Sequence, residues 1–229
     1  MFAVSDYSVA YGQSTVIPNI NFNIKENEIV AILGRNGMGK TTLMKSLIGM
    51  ITNKAGSIKL EGKPIENLKS HDRVKEGVAF VPQGRMIFST MTVKENIETG
   101  LTTVKDKTIP KDLYEMFPVL EEMQKRRGGN LSGGQQQQLA IARALASQPK
   151  MLLLDEPTEG IQPSIIKEMA QTLKKIRDKR GLSIIVSEQV LSFALDVADR
   201  IFVIEKGKIV REEERDSVDQ DQVAAYLSV

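Results

Sequence analysis

The chain contains no cysteine. That excludes disulfides, thiolate metal sites and cysteine nucleophiles, and it fits a reducing compartment. Net charge is small, +2 over 229 residues, so electrostatics give no case for nucleic acid as a partner. Long apolar runs are also missing. Those in "MLLLD" and "IFVIE" fall far short of the roughly 20 residues that span a bilayer. The opening "MFAVSDYSVAYG" has no basic segment and no long apolar one, so no secretory signal is expected. No internal repeat and no linker rich in proline or glycine interrupts the chain. What remains is an ordinary globular composition, 41% apolar and 26% charged. The length suits one large domain or two small ones.

The patterning changes along the chain. Residues 1–33 read as strands, with "KENE" as a turn. "KTTLMKSLIGM" then places Leu43, Leu47 and Ile48 at helical spacing. "GSIKLEGKPI" reads as strand, turn and strand, and "GVAFVPQ" as a strand stopped by Pro82. From about 85 to 150 the strand signals fade into a helical insert, which includes "DLYEMFPVLEEMQKRR", broken at Pro118. Strands return in "KMLLLDEP", "LSIIVSEQ" and "DRIFVIEKGKIVRE", separated by helical stretches at 163–179 and 189–198. The tail "SVDQDQVAAYLS" reads as one amphipathic helix. Alternating strands and helices predict an α/β fold with a mostly parallel sheet.

"GRNGMGKTT", residues 34–42, matches G-x-x-x-x-G-K-[ST] between an apolar strand and a helix. The glycines Gly34, Gly37 and Gly39 let backbone N–H groups converge on phosphate oxygens, and the helix N-terminus adds partial positive charge. Lys40 would reach the β- and γ-phosphates, and the Thr41 hydroxyl would hold Mg²⁺. The motif alone does not choose between ATPase, GTPase and kinase.

"KMLLLDEPT" is an apolar strand ending in two acids. Asp155 is suited to hold Mg²⁺, and Glu156 to activate water. "LSGGQ" at 131–135 precedes a second apolar-striped helix. Ser132 is its expected N-cap, and Gly133 and Gly134 would let an anion approach the first turn. One fold cannot easily bring both helix ends onto one nucleotide. The economical arrangement is two chains facing each other, each completing the other's site.

"GRNGMGKTT", "VPQG", "LSGGQQQQLAIARAL" and "LLLDEPT" together resemble the nucleotide-binding subunits of ABC transporters over nearly the whole chain. The resemblance implies a P-loop NTPase core sheet with an N-terminal antiparallel β subdomain, spanning 1–84 and 150–229, and a helical subdomain at 85–149. It implies ATP and Mg²⁺ as ligands. It places Arg35, Asn36, Met38 and Thr42 in the phosphate loop with the residues above, and Ser132, Gly133, Gly134 and Gln135 on the partner's ATP. It puts Tyr11 against adenine and Gln83 beside Mg²⁺ or water. Two positions depart from the family. Gln189, in "SEQV", stands where a switch histidine is expected, and Gln162 stands where an aspartate is expected. An amide can hydrogen-bond a γ-phosphate but carries no charge. The only histidine, His71, lies far upstream and is expected on the surface.

The Glu-Gln pair resembles the ATPases of importers for branched-chain amino acids and similar small polar solutes. "GGQQQQLAIARAL" with "DEPTEGIQPSII" looks most like the urea importers within that group. The expected partners are a second ATPase chain, either a related chain or a second copy of this one, membrane permeases gripped by residues after Gln83 (Arg85, Met86 and Phe88), and indirectly a solute-binding protein. The expected location is the cytoplasmic face of the membrane. A guanine-recognition motif of the N-K-x-D type is absent. Only 47 residues separate Gln83 from Leu131, too few for the long coiled coil of soluble ABC ATPases.

Overall fold

Phe2–Tyr11 (β1) and Ser14–Ile24 (β2) pair antiparallel, and Asn53–Leu60 (β4) pairs with the other edge of β1. With the short Lys63–Pro64 (β5) they form a sheet in the order β2-β1-β4-β5. Between β2 and β4 come Ile29–Leu33 (β3) and the helix Lys40–Leu47 (α1). The computed structural model describes residues 2–228.

After β5, Ser70–Glu76 (α2) leads into Val78–Val81 (β6). The chain next makes helices: Val93–Thr99 (α3), Lys111–Met116 (α4), Pro118–Glu122 (α5) and Gly133–Ala146 (α6). Met151–Asp155 (β7), Pro163–Arg180 (α7), Ser183–Glu188 (β8), Leu191–Val197 (α8), Arg200–Glu205 (β9) and Lys208–Glu214 (β10) follow. Gln220–Leu227 (α9) is the last element.

The second sheet has the order β10-β9-β3-β8-β7-β6. All its neighbours run parallel except the β9–β10 hairpin. Its central strands β3, β7 and β8 are buried at every position, as a parallel sheet covered on both faces requires. Alternation divides their side chains between two cores. Ile29, Ala31, Leu33, Leu152 and Leu154 face the helical side with Leu139, Leu145, Leu173 and Phe193. Val30, Ile32, Met151, Leu153 and Ile185 face α1 and the antiparallel sheet, against Leu43, Leu47, Tyr7 and Val9. The phosphate-loop strand is therefore clamped between two independent apolar layers.

The C-terminal end of α1 is closed by an unexpected residue. Arg73 of α2, 1% exposed, donates to the carbonyls of Ser46, Leu47, Glu66 and Leu68. It meets both the orphan carbonyls and the negative end of the helix dipole. The sequence pattern does not reveal α2, whose seven residues include only one apolar side chain, Val74. It also does not reveal α3, although "TVKE" carries a capping-box signature that Thr92 and Glu95 form. Pro118 does not simply break a helix: it starts α5 at the position where its missing N–H costs nothing. His71 is exposed on α2.

Candidate active site

The phosphate loop joins the carboxyl end of β3 to α1. Gly37 and Gly39 have φ of 80° and 102°, a region that side chains rarely occupy. α1 begins at Lys40 with no side-chain cap and no acid in its first turn, so no side chain competes for its leading N–H groups. The Lys40 side chain is folded inward. Its ammonium donates to the carbonyls of Gly34 at 2.6 Å and Arg35 at 3.2 Å, and it ion-pairs with Glu156 Oε1 at 3.1 Å. Lys40 and Glu156 are both buried.

β7 delivers the two acids. Asp155 closes the strand and Glu156 follows with φ of 47°, in the left-handed region that costs a non-glycine residue energy. Its N–H donates to the Ser187 carbonyl at 3.0 Å, which holds that turn. Glu156 Oε2 accepts from Gln83 Nε2 at 3.3 Å. Asp155 Oδ1 accepts from the hydroxyls of Ser187 at 2.5 Å and Thr41 at 3.3 Å. Burial pushes the Asp155 carboxyl above its ordinary range, while these two hydroxyls and Lys40 oppose the shift. Its Oδ2 is buried without a partner. An orphaned carboxylate oxygen beside a threonine hydroxyl fits a hard cation with oxygen ligands such as Mg²⁺. No group of three or more His, Cys, Asp or Glu among the described residues forms a metal cage, so such a cation would take further ligands from its substrate.

A cavity of about 260 Å³ opens over this cluster, lined by Val16, Asn36, Gly37, Gly39, Lys40, Thr41, Thr42, Gln83 and Glu156. A wider groove of about 720 Å³ between α4, α5 and α7 is lined by other residues, among them Glu115, Glu168 and Lys175. The convergent donors and acids are in the smaller cavity, which makes it the candidate. Arg35 and Met38 lie in the same loop. Tyr11, at the end of β1, is 52% exposed.

None of the "SGGQ" residues lines this cavity. Ser132 caps α6, accepting from the Gln135 N–H, and the Gln135 side chain returns the bond to the Ser132 N–H. The two glycines also answer a need within the chain. A side chain on Gly134 would come within 2.8 Å of Ile165 on α7, and one on Gly133 within 3.2 Å of the Gly160 carbonyl. Gln189 and Gln162 are both exposed. Arg85 donates to the carbonyls of Glu159 and Gly160 in exposed hydrogen bonds. Met86 and Phe88 do stay exposed, and Arg143 lies over the Phe88 ring at 5.3 Å.

Sequence reasoning missed Ser187 and the part played by Glu188. The signal was available: "SIIVSE" puts two polar residues at the end of an apolar strand beside "LLLDE". Registered side by side, Asp155 pairs with Ser187 and Leu33 with Glu188, so three parallel strands end together at the site.

A phosphate loop and two adjacent acids, Asp155 and Glu156, at the ends of neighbouring parallel strands define a P-loop NTPase. The model of the ABC transporter family matches residues 17–159. The branched-chain amino acid transport ATP-binding protein BraG of Pseudomonas aeruginosa is 39% identical over 213 residues, 92% of this chain and 91% of that protein. The probable counterpart LivF of Archaeoglobus fulgidus is 36% identical, covering 88% of this chain and 87% of that one. The post-hydrolysis dimer of the ATP-binding cassette MJ0796, bound to ADP and phosphate, superposes with a TM-score of 0.83 at 26% identity, covering 94% and 99%. The chain belongs to the ABC transporter family, with the ATP-binding cassette fold, and is an ATPase.

Proposed function

We propose that this chain is the ATP-hydrolysing subunit of an importer for branched-chain amino acids or closely similar small solutes. One observation carries the motor reading: Lys40, Gln83, Asp155 and Glu156 come together at the ends of parallel strands. The solute class rests on the printed function of two relatives that match nearly end to end. The urea reading finds no support among those relatives and gives way to the amino-acid one.

In this mechanism the backbone N–H groups of Gly34–Thr42 cradle the phosphates, and Tyr11 stacks on adenine. Lys40 exchanges its ion pair with Glu156 for the γ-phosphate. Glu156, so released, accepts the proton of the attacking water. Thr41 and Asp155, with Gln83 alongside, would hold Mg²⁺, which would neutralise phosphate charge. The Gln189 amide contacts the γ-phosphate without adding charge. A partner chain, related or identical, supplies Ser132, Gly133, Gly134 and Gln135 across the interface. Permeases dock near Met86 and Phe88, where a groove of about 370 Å³ also includes Arg143. No described helix is long and apolar enough to cross a membrane, so attachment to the cytoplasmic face runs through those permeases.

The test is reconstitution of this chain with the permeases and binding protein of a branched-chain amino acid importer. ATP-driven uptake of labelled leucine is the expected result. Uptake of urea without leucine would overturn the solute class, and hydrolysis that no permease stimulates would overturn the importer reading.

A further inference from the structure

Glu188 is a buried carboxylate that the hydrolytic roles above leave unused. It ends β8 and is 1% exposed. Four donors converge on it. Oε1 accepts from Thr158 N–H at 3.0 Å and from the Thr158 hydroxyl at 2.7 Å. Oε2 accepts from the N–H groups of Gln189 at 3.1 Å and Val190 at 3.4 Å. The Glu188 carbonyl also takes the N–H of Gly34, the first residue of the phosphate loop, at 3.2 Å. Among the described residues no lysine or arginine forms an ion pair with it.

A buried anion held only by dipoles is costly, and burial raises its proton affinity against those four hydrogen bonds. Filling the space alone would not need a charge. An ionised carboxylate can accept four bonds at once, whereas an amide offers one oxygen and turns its NH₂ toward two donors. The four donors come from two segments, which are otherwise joined one step back, where the Glu156 N–H meets the Ser187 carbonyl and hydroxyl. Thr158 lies two residues beyond Glu156, and Gln189 begins the turn after β8.

We infer that Glu188 is a positioning residue, which clamps the loop carrying Glu156 to the turn carrying Gln189 so that both act on one γ-phosphate. This rests on the proposed roles of Glu156 and Gln189. Through its carbonyl it ties both to the start of the phosphate loop.

The experiment is a double-mutant cycle on ATP hydrolysis by the full chain, with Glu188→Gln, Gln189→Ala and the combination. Loss of the clamp should lower kcat by about 10- to 100-fold, the worth of charge-assisted hydrogen bonds, with KM for ATP within about threefold. Gln189→Ala should lower kcat in the wild type but add little in the Glu188→Gln background, since the clamp acts through Gln189. A purely structural role predicts the same Gln189→Ala factor in both backgrounds, and that additivity would overturn the proposal. So would a Gln189→Ala variant with wild-type turnover. Thr158→Val, with Thr158→Ser as the rescue, repeats the test with a milder change if Glu188→Gln does not fold. A parallel Glu156→Gln variant that still turned over normally would instead indict the assignment of the base, and so separates the two failures.

Discussion

Glu156→Gln perturbs the centre of the site while keeping its shape. The Lys40 ammonium has three N–H donors, and three acceptors engage it: the Gly34 carbonyl, the Arg35 carbonyl and Glu156 Oε1. Glutamine keeps an acceptor oxygen there but removes the charge. A bond to a charged group is worth about 1.5–3 kcal/mol and a neutral one about 1 kcal/mol, so the nucleotide-free variant should lose about 1–2 kcal/mol. For a chain of this size that lowers Tm by roughly 2–8 °C. With ATP bound, Lys40 has phosphate as its partner and the loss is recovered. The ATP-induced rise in Tm should therefore be larger in the variant by the same few degrees. Turnover moves the opposite way. A positioned base contributes about 10²- to 10⁴-fold, or roughly 3–5.5 kcal/mol of barrier, and an amide cannot replace it. Phosphate release and thermal melts, with and without ATP, measure both effects. Turnover within about threefold of wild type would remove Glu156 as the base. Equal ATP-induced shifts would show that its pair with Lys40 does not compete with nucleotide.

Two further outcomes follow from the buried polar groups. Burial holds Asp155 above its ordinary value of 3.8, so its favourable contribution is complete below that value and is lost as pH rises through the folded one. In Mg²⁺-free buffer the stability of wild type relative to Asp155→Asn should fall as pH climbs from about 4 toward neutral, and urea titrations that show the difference growing would refute the reasoning. Arg73→Met should cost about 2–4 kcal/mol, because it strands buried carbonyls at the end of α1. Arg73→Lys should recover part of this, and an unchanged urea midpoint for Arg73→Met would show that the cap contributes nothing.

The strands and the long helices were legible because their apolar spacing is strong: β3, β7 and β8 are near-continuous apolar runs, and α6 carries a clear stripe. α2 and α3 were not, since α2 has one apolar side chain, Val74, and α3 only two, Val93 and Ile97, too few to set a period. At the site, Lys40, Asp155 and Glu156 could be assigned because their motifs are local. Ser187 and Glu188 could not, because they matter only through strand register, which brings residues 30 and 32 positions apart side by side. Arg85 is a further case: its neighbours Met86 and Phe88 are exposed, while it donates to the carbonyls of Glu159 and Gly160, a contact across 74 positions that no local pattern signals.

The strand order also sets a schedule for synthesis. β1, β2 and β4 lie within the first 60 residues and can pair as soon as they leave the ribosome. Among the described residues β3 pairs only with β8 and β9, which end at Glu188 and Glu205. The strand that feeds the phosphate loop therefore stays without a sheet partner until Ser183–Glu188 has been made. A chain interrupted before β8 presents a fully apolar, unpaired strand to chaperones and proteases.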